Sequence, residues 1–305
     1  MHTAVEGNSM VKKLAIVFLF AAVSMSAQTG TLTENTMVWN NLTRTYWVYV
    51  PRKVAANTSL VMVLHPTVFT TAPPKLFQVR PFEKLSDQHG FILVWPISTF
   101  NAHSKFWYWE AYFTDASFPT PPDDIGFLGS LITNLTSQYT LDPNRIFVTG
   151  FSSGGFMAHR AGIELSAQVA AIASAEGQVE LAPTKGTYTL PTATTPVSVL
   201  ALNGDADTTV PYCGGLTRLW GLNWNIATLD QTTTYWRQAN GCTDSVPQLC
   251  TAGQPTVGVD GLDAVSCTGG VEVKSVREPG VAHTWPSGTE VTVWNFFAAH
   301  SRNGL

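Results

Sequence analysis

Apolar runs bounded by turn-forming residues recur along the chain, and each of them predicts a buried strand. They cover residues 60–64, residues 145–149 and residues 197–202. Residues 271–276 alternate apolar and polar side chains, which is typical of a strand, and a last helix is expected at about residues 291–300. Strands interspersed with helices predict an α/β fold built on a mostly parallel sheet.

The five residues Gly-Phe-Ser-Ser-Gly at 150–154 lie between the predicted strand at 145–149 and a segment with a helical pattern. A nucleophilic serine on a sharp strand-to-helix turn needs small residues two positions before and after it, because the two backbones pass close together there. The pattern therefore predicts Ser152 as the nucleophile of a hydrolase. A chance match is the alternative in a chain with 24 glycines, and the flanking strand and helix argue against it.

Such a serine works with an acid and then a histidine, in that chain order, each on a loop beyond a later strand. The predicted strand at 197–202 leads into a turn-rich loop with two carboxylates, Asp205 and Asp207, and one of them should orient the histidine. The predicted strand at residues 271–276 leads to His283. We therefore favour His283 over the other six histidines as the base. His65 directly follows the apolar run at residues 60–64. We therefore expect it beside the active site but outside the triad.

The chain resembles the secreted α/β-hydrolases that group feruloyl esterases with polyhydroxybutyrate depolymerase-type esterases. The matching stretches cover residues 64–65, 90–96, 107–109, 124–127, 141–146, 150–158, 204–212 and 283–286. The resemblance implies an α/β-hydrolase fold, with a mostly parallel central sheet and helices on both faces. It also implies Ser152 as nucleophile, Asp207 as acid and His283 as base, and it makes Asp205 the weaker candidate for the acid.

An oxyanion hole formed by two backbone N–H groups is a further implication of the resemblance, with Ser153 and Thr67 as the donors. The chain departs from the family pattern at Pro66, where glycine is usual. Proline has no N–H and its φ is fixed near about −65°. Thr67 should still donate if the loop keeps its course, whereas one lost oxyanion donor typically costs about 10²- to 10³-fold in turnover.

Composition limits the partners and the domain count. No low-complexity linker divides the 305 residues, so we expect residues 28–305 to form one catalytic domain. Charged residues make up 12% of the chain, the formal net charge is −4, and no basic run follows the first residues, which argues against nucleic acid as a partner. The sequence contains no HExxH motif and no paired CxxC motif, so we expect neither a metal nor another cofactor. We expect a monomer.

The amino terminus predicts export. Lys12 and Lys13 precede an apolar stretch over residues 14–23, and small residues follow it, so residues 1–27 are interpreted as a secretory signal peptide. Initiation at Met10 would give a more usual signal length, and a buried helix is the alternative. The apolar stretch is too short to span a bilayer and no second run is long enough, so we expect a secreted protein without a membrane anchor.

Four cysteines lie between the loop of the acid and the loop of the histidine: Cys213, Cys242, Cys250 and Cys267. An even number in an exported chain indicates disulfides, and spacing alone leaves three pairings open. The resemblance favours a bond between Cys242 and Cys267, which leaves Cys213 and Cys250 as the second pair.

Aromatic residues near the predicted triad are candidates for substrate contact. Trp107 and Trp109 lie two apart on a segment expected to be extended, Tyr212 follows the acid loop, and Trp285 follows the histidine. They could stack on a phenolic acyl group or a sugar ring. Burial in the hydrophobic core is the alternative for each.

These observations predict a secreted serine carboxylic ester hydrolase that resembles feruloyl esterases and acts on acyl esters of plant cell-wall polysaccharide. Polyhydroxybutyrate depolymerase and acetylxylan esterase activities are alternatives within the same chemistry. A catalytically silent carbohydrate-binding relative is the alternative outside it, and an intact set of Ser152, Asp207 and His283 argues against that alternative.

Overall fold

A computed structural model describes residues 29–70, 80–102, 104–111, 121–180, 190–219 and 222–302. The predicted signal peptide, residues 1–27, lies outside the described residues. The strands are β1 (Thr31–Trp39), β2 (Leu42–Val50), β3 (Leu60–Leu64), β4 (Ile92–Pro96), β5 (Thr99–Asn101), β6 (Phe106–Tyr108), β7 (Ile146–Phe151), β8 (Ala171–Ala175), β9 (Ser198–Gly204), β10 (Gly215–Leu219), β11 (Leu222–Ile226), β12 (Cys250–Thr251), β13 (Gln254–Pro255), β14 (Gly261–Ala264) and β15 (Val273–Glu278). The helices are α1 (Arg80–His89), α2 (Asp124–Tyr139), α3 (Ser153–Glu164), α4 (Leu229–Ala239) and α5 (Thr289–Ala298).

A nine-stranded sheet forms the centre of the molecule, with the strand order β1-β2-β4-β3-β7-β8-β9-β15-β14. The six strands from β4 to β15 run parallel to one another. The edges are antiparallel, through β1 and β2 on one side and β14 on the other. Every residue of β3, β7, β8 and β9 is buried, which explains why these strands are nearly continuous apolar runs in the sequence.

Helices cover both faces of this sheet, and each face has its own apolar core. On one face, α1 and α5 contribute Phe82 and Phe297 to a cluster with the side chains of alternate strand residues. On the other face, α2, α3 and α4 contribute Phe127, Met157 and Trp236. The predicted architecture, a mostly parallel sheet with helices on both faces, is confirmed.

The strand boundaries place polar side chains at one edge of the sheet. The apolar run at 60–64 is β3, and His65 follows it directly. β9 extends to Gly204 because Asn203 and Gly204 still pair with the end of β15, so Asp205 comes immediately after the strand. Because the carboxyl ends of parallel strands meet at the same edge, the residues that follow β3, β7, β8, β9 and β15 lie close together.

Two disulfides join the segment between β9 and β15. Cys213 is bonded to Cys250 and Cys242 to Cys267, with Cα–Cα distances of 5.7 Å and 3.8 Å. The pairing that the resemblance favoured is therefore confirmed. In the part of the chain that the structure describes, no helix has the length and apolar character needed to cross a membrane.

Candidate active site

Ser152 occupies a strained turn between β7 and α3. Its φ and ψ angles are 54° and −120°, and a positive φ is uncommon for a residue other than glycine. The adjacent glycines permit the turn, because a Cβ at Gly150 would clash with the backbone of Gly154, and a Cβ at Gly154 would clash with the carbonyl group of Leu64. The turn holds Ser152 at the carboxyl edge of the sheet, where it is partly exposed.

Hydrogen bonds connect Ser152, His283 and Asp207. Nε2 of His283 lies 2.9 Å from Oγ of Ser152, and Nδ1 of His283 lies 2.6 Å from Oδ2 of Asp207. The Asp207 side chain is fully buried, whereas that of His283 is 22% exposed. This connectivity is the one that a serine-histidine-aspartate triad requires, in which the carboxylate orients the ring and the ring accepts the serine proton.

The environment of Asp207 keeps its carboxyl group ionised. The backbone N–H groups of Thr209 and Val210 donate to Oδ1 at 2.7 Å and 2.9 Å. Burial alone raises the pKa of Asp207, but the hydrogen bond and charge of His283 and the donation from Val210 outweigh it and hold the pKa below its ordinary value. An ionised acid can stabilise the imidazolium that forms when His283 takes a proton.

Asp205, the other carboxylate of this loop, has different partners. Its Oδ2 forms an ion pair with Arg277 at 2.7 Å, and its Oδ1 accepts a hydrogen bond from the Gly280 N–H at 2.7 Å. The Gly280 donation and the pairing with Arg277 lower the pKa of Asp205. Asp205 therefore connects the acid loop to the loop that leads to His283, and Asp207 is the carboxylate in contact with the ring.

The loop after β3 is held by the side chain of His65. The Nδ1–H of His65 donates to the carbonyl oxygen of Pro66 at 2.6 Å, and Nε2 accepts from the Ser98 N–H at 3.0 Å. Burial lowers the pKa of His65 to about 4, so the ring is neutral at pH 7 and Nε2 is free to accept. Pro66 thus takes part in the loop through its carbonyl group and leaves Thr67 as the next N–H along the chain.

Both predicted oxyanion donors lie at the edge of the sheet that carries Ser152. Ser153 is the first residue of α3, where backbone N–H groups have no partner within the helix. Thr67 is buried, and within the described residues no backbone carbonyl oxygen accepts a hydrogen bond from its N–H. The two N–H groups are therefore available to a ligand.

The predicted aromatic residues fall into two groups. Trp107 and Trp285 are partly exposed, and Trp285 packs edge-on against Phe151, whose ring contacts His283 at a centroid distance of 5.0 Å. Trp109 and Tyr212 are 0% and 2% exposed and belong to the core. The burial of Trp109 and Tyr212 argues against the prediction that they contact substrate and favours the alternative, a place in the hydrophobic core.

Trp109 has a different contact, which the sequence did not indicate. Its Nε1–H donates to the carbonyl oxygen of His65 at 3.0 Å. Trp107 contacts the same loop through its backbone, with reciprocal hydrogen bonds to Val68 of 2.9 Å and 3.0 Å. Both tryptophans therefore support the loop that carries Thr67.

Glu176 is a site residue that sequence reasoning missed. It follows β8 directly, is fully buried, and has a φ of 48°. Its Oε1 accepts a hydrogen bond from the Gly204 N–H in the acid loop, and burial together with the neighbouring Asp207 carboxyl group raises its pKa. A charged residue immediately after an apolar run, at the same edge as Ser152, was the available signal.

Comparison with known proteins agrees with the fold. A model of the phospholipase/carboxylesterase family matches residues 122–219, which include Ser152 and Asp207. The solved structure of an acetyl xylan esterase from Aspergillus awamori superimposes with a TM-score of 0.61 at 19% identity, and the match covers 88% of this chain and 99% of that one. The chain therefore has the fold of the α/β-hydrolases, and residues 122–219 are similar to phospholipases and carboxylesterases.

Among characterised proteins, the chain is similar to feruloyl and acetylxylan esterases. Feruloyl esterase B of Piromyces equi is 29% identical over 181 residues, which are 58% of this chain and 31% of that protein. Acetylxylan esterase A of Aspergillus ficuum is 26% identical over 145 residues, which are 47% of this chain and 46% of that protein. The matched regions thus span less than half the length of these relatives.

Proposed function

We propose that this protein is a serine esterase that removes acyl groups from plant cell-wall polysaccharide. The observation that carries the proposal is the hydrogen-bonded series from Ser152 Oγ through His283 to Asp207, with distances of 2.9 Å and 2.6 Å. The relationship to acetylxylan and feruloyl esterases supports the substrate class.

The residues present account for a two-step acyl transfer. As Ser152 Oγ attacks the ester carbonyl carbon, Nε2 of His283 takes the hydroxyl proton, and the N–H groups of Ser153 and Thr67 stabilise the oxyanion. His283 then gives the proton to the leaving alcohol oxygen and the ester C–O bond breaks. In the second step His283 takes a proton from water, the hydroxide adds to the acyl-enzyme, and Ser152 regains its proton as the acid leaves.

Acetyl is the acyl group that we favour. A feruloyl group would gain from stacking on aromatic side chains, and two of the four residues considered for this contact, Trp109 and Tyr212, lie in the core. A small acyl group needs no such contact. Feruloyl remains the second candidate, because Trp285 is partly exposed beside Phe151 and His283 and a well-placed aromatic pair contributes about 0.5 to 1.5 kcal/mol.

We further propose that residues 28–305 form one catalytic domain that acts outside the cell after removal of residues 1–27. The two disulfides support an oxidising compartment, since such bonds persist mainly in exported proteins.

The test is a panel of three substrates, namely acetylated xylan, methyl ferulate and soluble hydroxybutyrate oligomers, ranked by kcat/KM with the purified protein. We expect acetylated xylan to rank first and Trp285→Ala to leave that rate nearly unchanged. Methyl ferulate ranking first, with a selective loss in Trp285→Ala, would establish the feruloyl alternative. Oligomers ranking first would replace polysaccharide with polyester as the substrate, and hydrolysis of none of the three would contradict the proposal.

A further inference from the structure

The acid of the triad has a second carboxyl group against it. Glu176 and Asp207 follow different strands, β8 and β9, and they meet at Gly204, whose N–H donates to Oε1 of Glu176 at 2.8 Å and whose carbonyl oxygen accepts from the Asp207 N–H at 3.4 Å. The pKa of each carboxyl group is shifted by a side-chain hydrogen bond to the other. Glu176 is 0% exposed and Asp207 is 5% exposed. A direct hydrogen bond between two carboxyl groups requires that one of them carries a proton, because two carboxylates have no donor.

The surrounding backbone is shaped to hold Glu176 in this position. Oε1 accepts a hydrogen bond from the Gly204 N–H at 2.8 Å. A Cβ at residue 204 would lie 3.0 Å from that same Oε1 and would clash with the carbonyl oxygen of Val281. Glycine at 204 therefore lets both the Glu176 carboxyl group and the histidine loop approach the backbone of the acid loop closely.

The number of donors decides which group holds the proton. Asp207 accepts from the His283 ring and from the N–H groups of Thr209 and Val210. Glu176 accepts one N–H, at Oε1, and within the described residues no donor reaches its buried Oε2. Since three donors favour the ionised form of Asp207, the proton belongs on Glu176, whose Oε2 is then a donor.

We propose that Glu176 is a positioning residue that stays protonated and donates a hydrogen bond to Asp207, in the esterase reaction proposed above. The bond fixes the Asp207 carboxylate opposite the His283 ring and disperses part of its charge. No net proton transfer is required of Glu176 at any step.

The ionisation of the Glu176 carboxyl group is consistent with this role. Burial raises the pKa of Glu176 to about 10, and the neighbouring acids Asp207 and Glu278 contribute to the increase. His283, which becomes cationic during the reaction, is hydrogen-bonded to Oδ2 of Asp207. Glu176 therefore remains neutral at pH 7, where Asp207 is ionised.

A measurement of stability tests the protonation without any assay of activity. Between pH 5 and pH 9 unfolding releases the Glu176 proton, so this group makes the wild-type protein less stable as pH rises. Glu176→Gln removes that dependence and keeps a donor. We expect the difference in Tm, Glu176→Gln minus wild type, to become more positive from pH 5 to pH 9. A constant or shrinking difference would overturn the proposal, even if the protein hydrolyses no ester.

The acid limb of the kcat/KM profile tests the contact with Asp207. Glu176→Gln still donates, so its limb should coincide with that of the wild type. Glu176→Met removes the donor and concentrates charge on Asp207, which favours the imidazolium and should move the limb to higher pH by roughly 0.5 to 1 unit. Glu278→Gln is the control, because it removes a nearby carboxyl that makes no bond to Asp207, and its limb should not move.

The contrary result is equally specific. If Glu176 were ionised, Glu176→Gln would remove a negative charge near His283 and move the limb to lower pH. That shift, or a Glu176→Met limb identical to the wild-type limb, would refute the role. A merely structural contribution would lower Tm in both variants and leave the limb in place.

Discussion

Asp205 and Asp207 are two residues apart on one loop, and their neighbours give them different tasks. Asp207 faces the His283 ring, and Asp205 pairs with Arg277 and with the Gly280 N–H. The first contact orients the base, whereas the second holds the loop on which the base lies. At the scale of single residues, the contact with the His283 ring therefore distinguishes Asp207 from Asp205 as the candidate acid.

Asp207→Asn should reduce kcat by roughly 10⁴-fold, as for triad acids elsewhere, because an amide favours the wrong tautomer of the histidine. Asp205→Asn keeps a side chain of the same size and should reduce kcat far less, with a loss of stability as its main effect. Turnover of p-nitrophenyl acetate by the two variants is the measurement. The opposite ranking would assign the acid to Asp205.

The loop from His65 to Val68 carries Thr67, which we propose as an oxyanion donor. It is held by the ring of His65 bonded to Pro66 and Ser98, by the Trp109 indole bonded to the His65 carbonyl group, and by backbone pairing with Trp107. These contacts fix the course of the chain through Pro66, so the N–H of Thr67 remains available without the usual glycine.

Trp109→Phe removes the indole donor to His65 while keeping an aromatic side chain in the core. The loop should relax and kcat should fall, while KM changes little. The fall in kcat should be smaller than the loss of about 10²- to 10³-fold that follows removal of an oxyanion donor. Trp107→Phe is the matched control, since no described residue accepts from its indole N–H. Equal effects of the two substitutions on p-nitrophenyl acetate turnover would argue against this function of Trp109.

The sequence predicted those elements whose pattern lies within a few consecutive residues. Fully buried parallel strands require continuous apolar runs, so β3 was evident from residues 60–64 alone, and the glycines around Ser152 reflect a steric need within five residues. Contacts between distant segments left no such signal. Whether Trp109 lies in a cleft or in the core depends on packing against His65, which is 44 residues away, and the meeting of Glu176 with Asp207 depends on the order of β8 and β9 in the sheet.

At the scale of the whole molecule, the two disulfides join segments that lie between the acid and the base. Cys213 closely follows the acid loop and is bonded to Cys250, while Cys242 follows α4 and is bonded to Cys267. The first bond therefore restrains the chain next to Asp207, and the second restrains the segment between α4 and β15.

Replacement of each pair by serine should separate these effects. Either double variant should lose about 2 to 4 kcal/mol of unfolding free energy, because the crosslink restricts the unfolded chain. Only Cys213→Ser with Cys250→Ser should also reduce kcat, since it frees the segment adjoining Asp207. Denaturant titration gives the stability and initial rates give kcat. A loss of kcat confined to the Cys242→Ser with Cys267→Ser variant would contradict this assignment.

The central claim is that Ser152 is the residue that carries the acyl group, and covalent labelling tests it most directly. A fluorophosphonate probe reacts with an activated serine, so mass spectrometry of the wild-type protein should show one adduct per chain, and peptide mapping should place it on Ser152. The Ser152→Ala protein should fold with an unchanged far-UV spectrum, take up no probe and lose on the order of 10⁴-fold or more in kcat. An adduct on Ser153 or another residue, or labelling that persists in Ser152→Ala, would contradict the account.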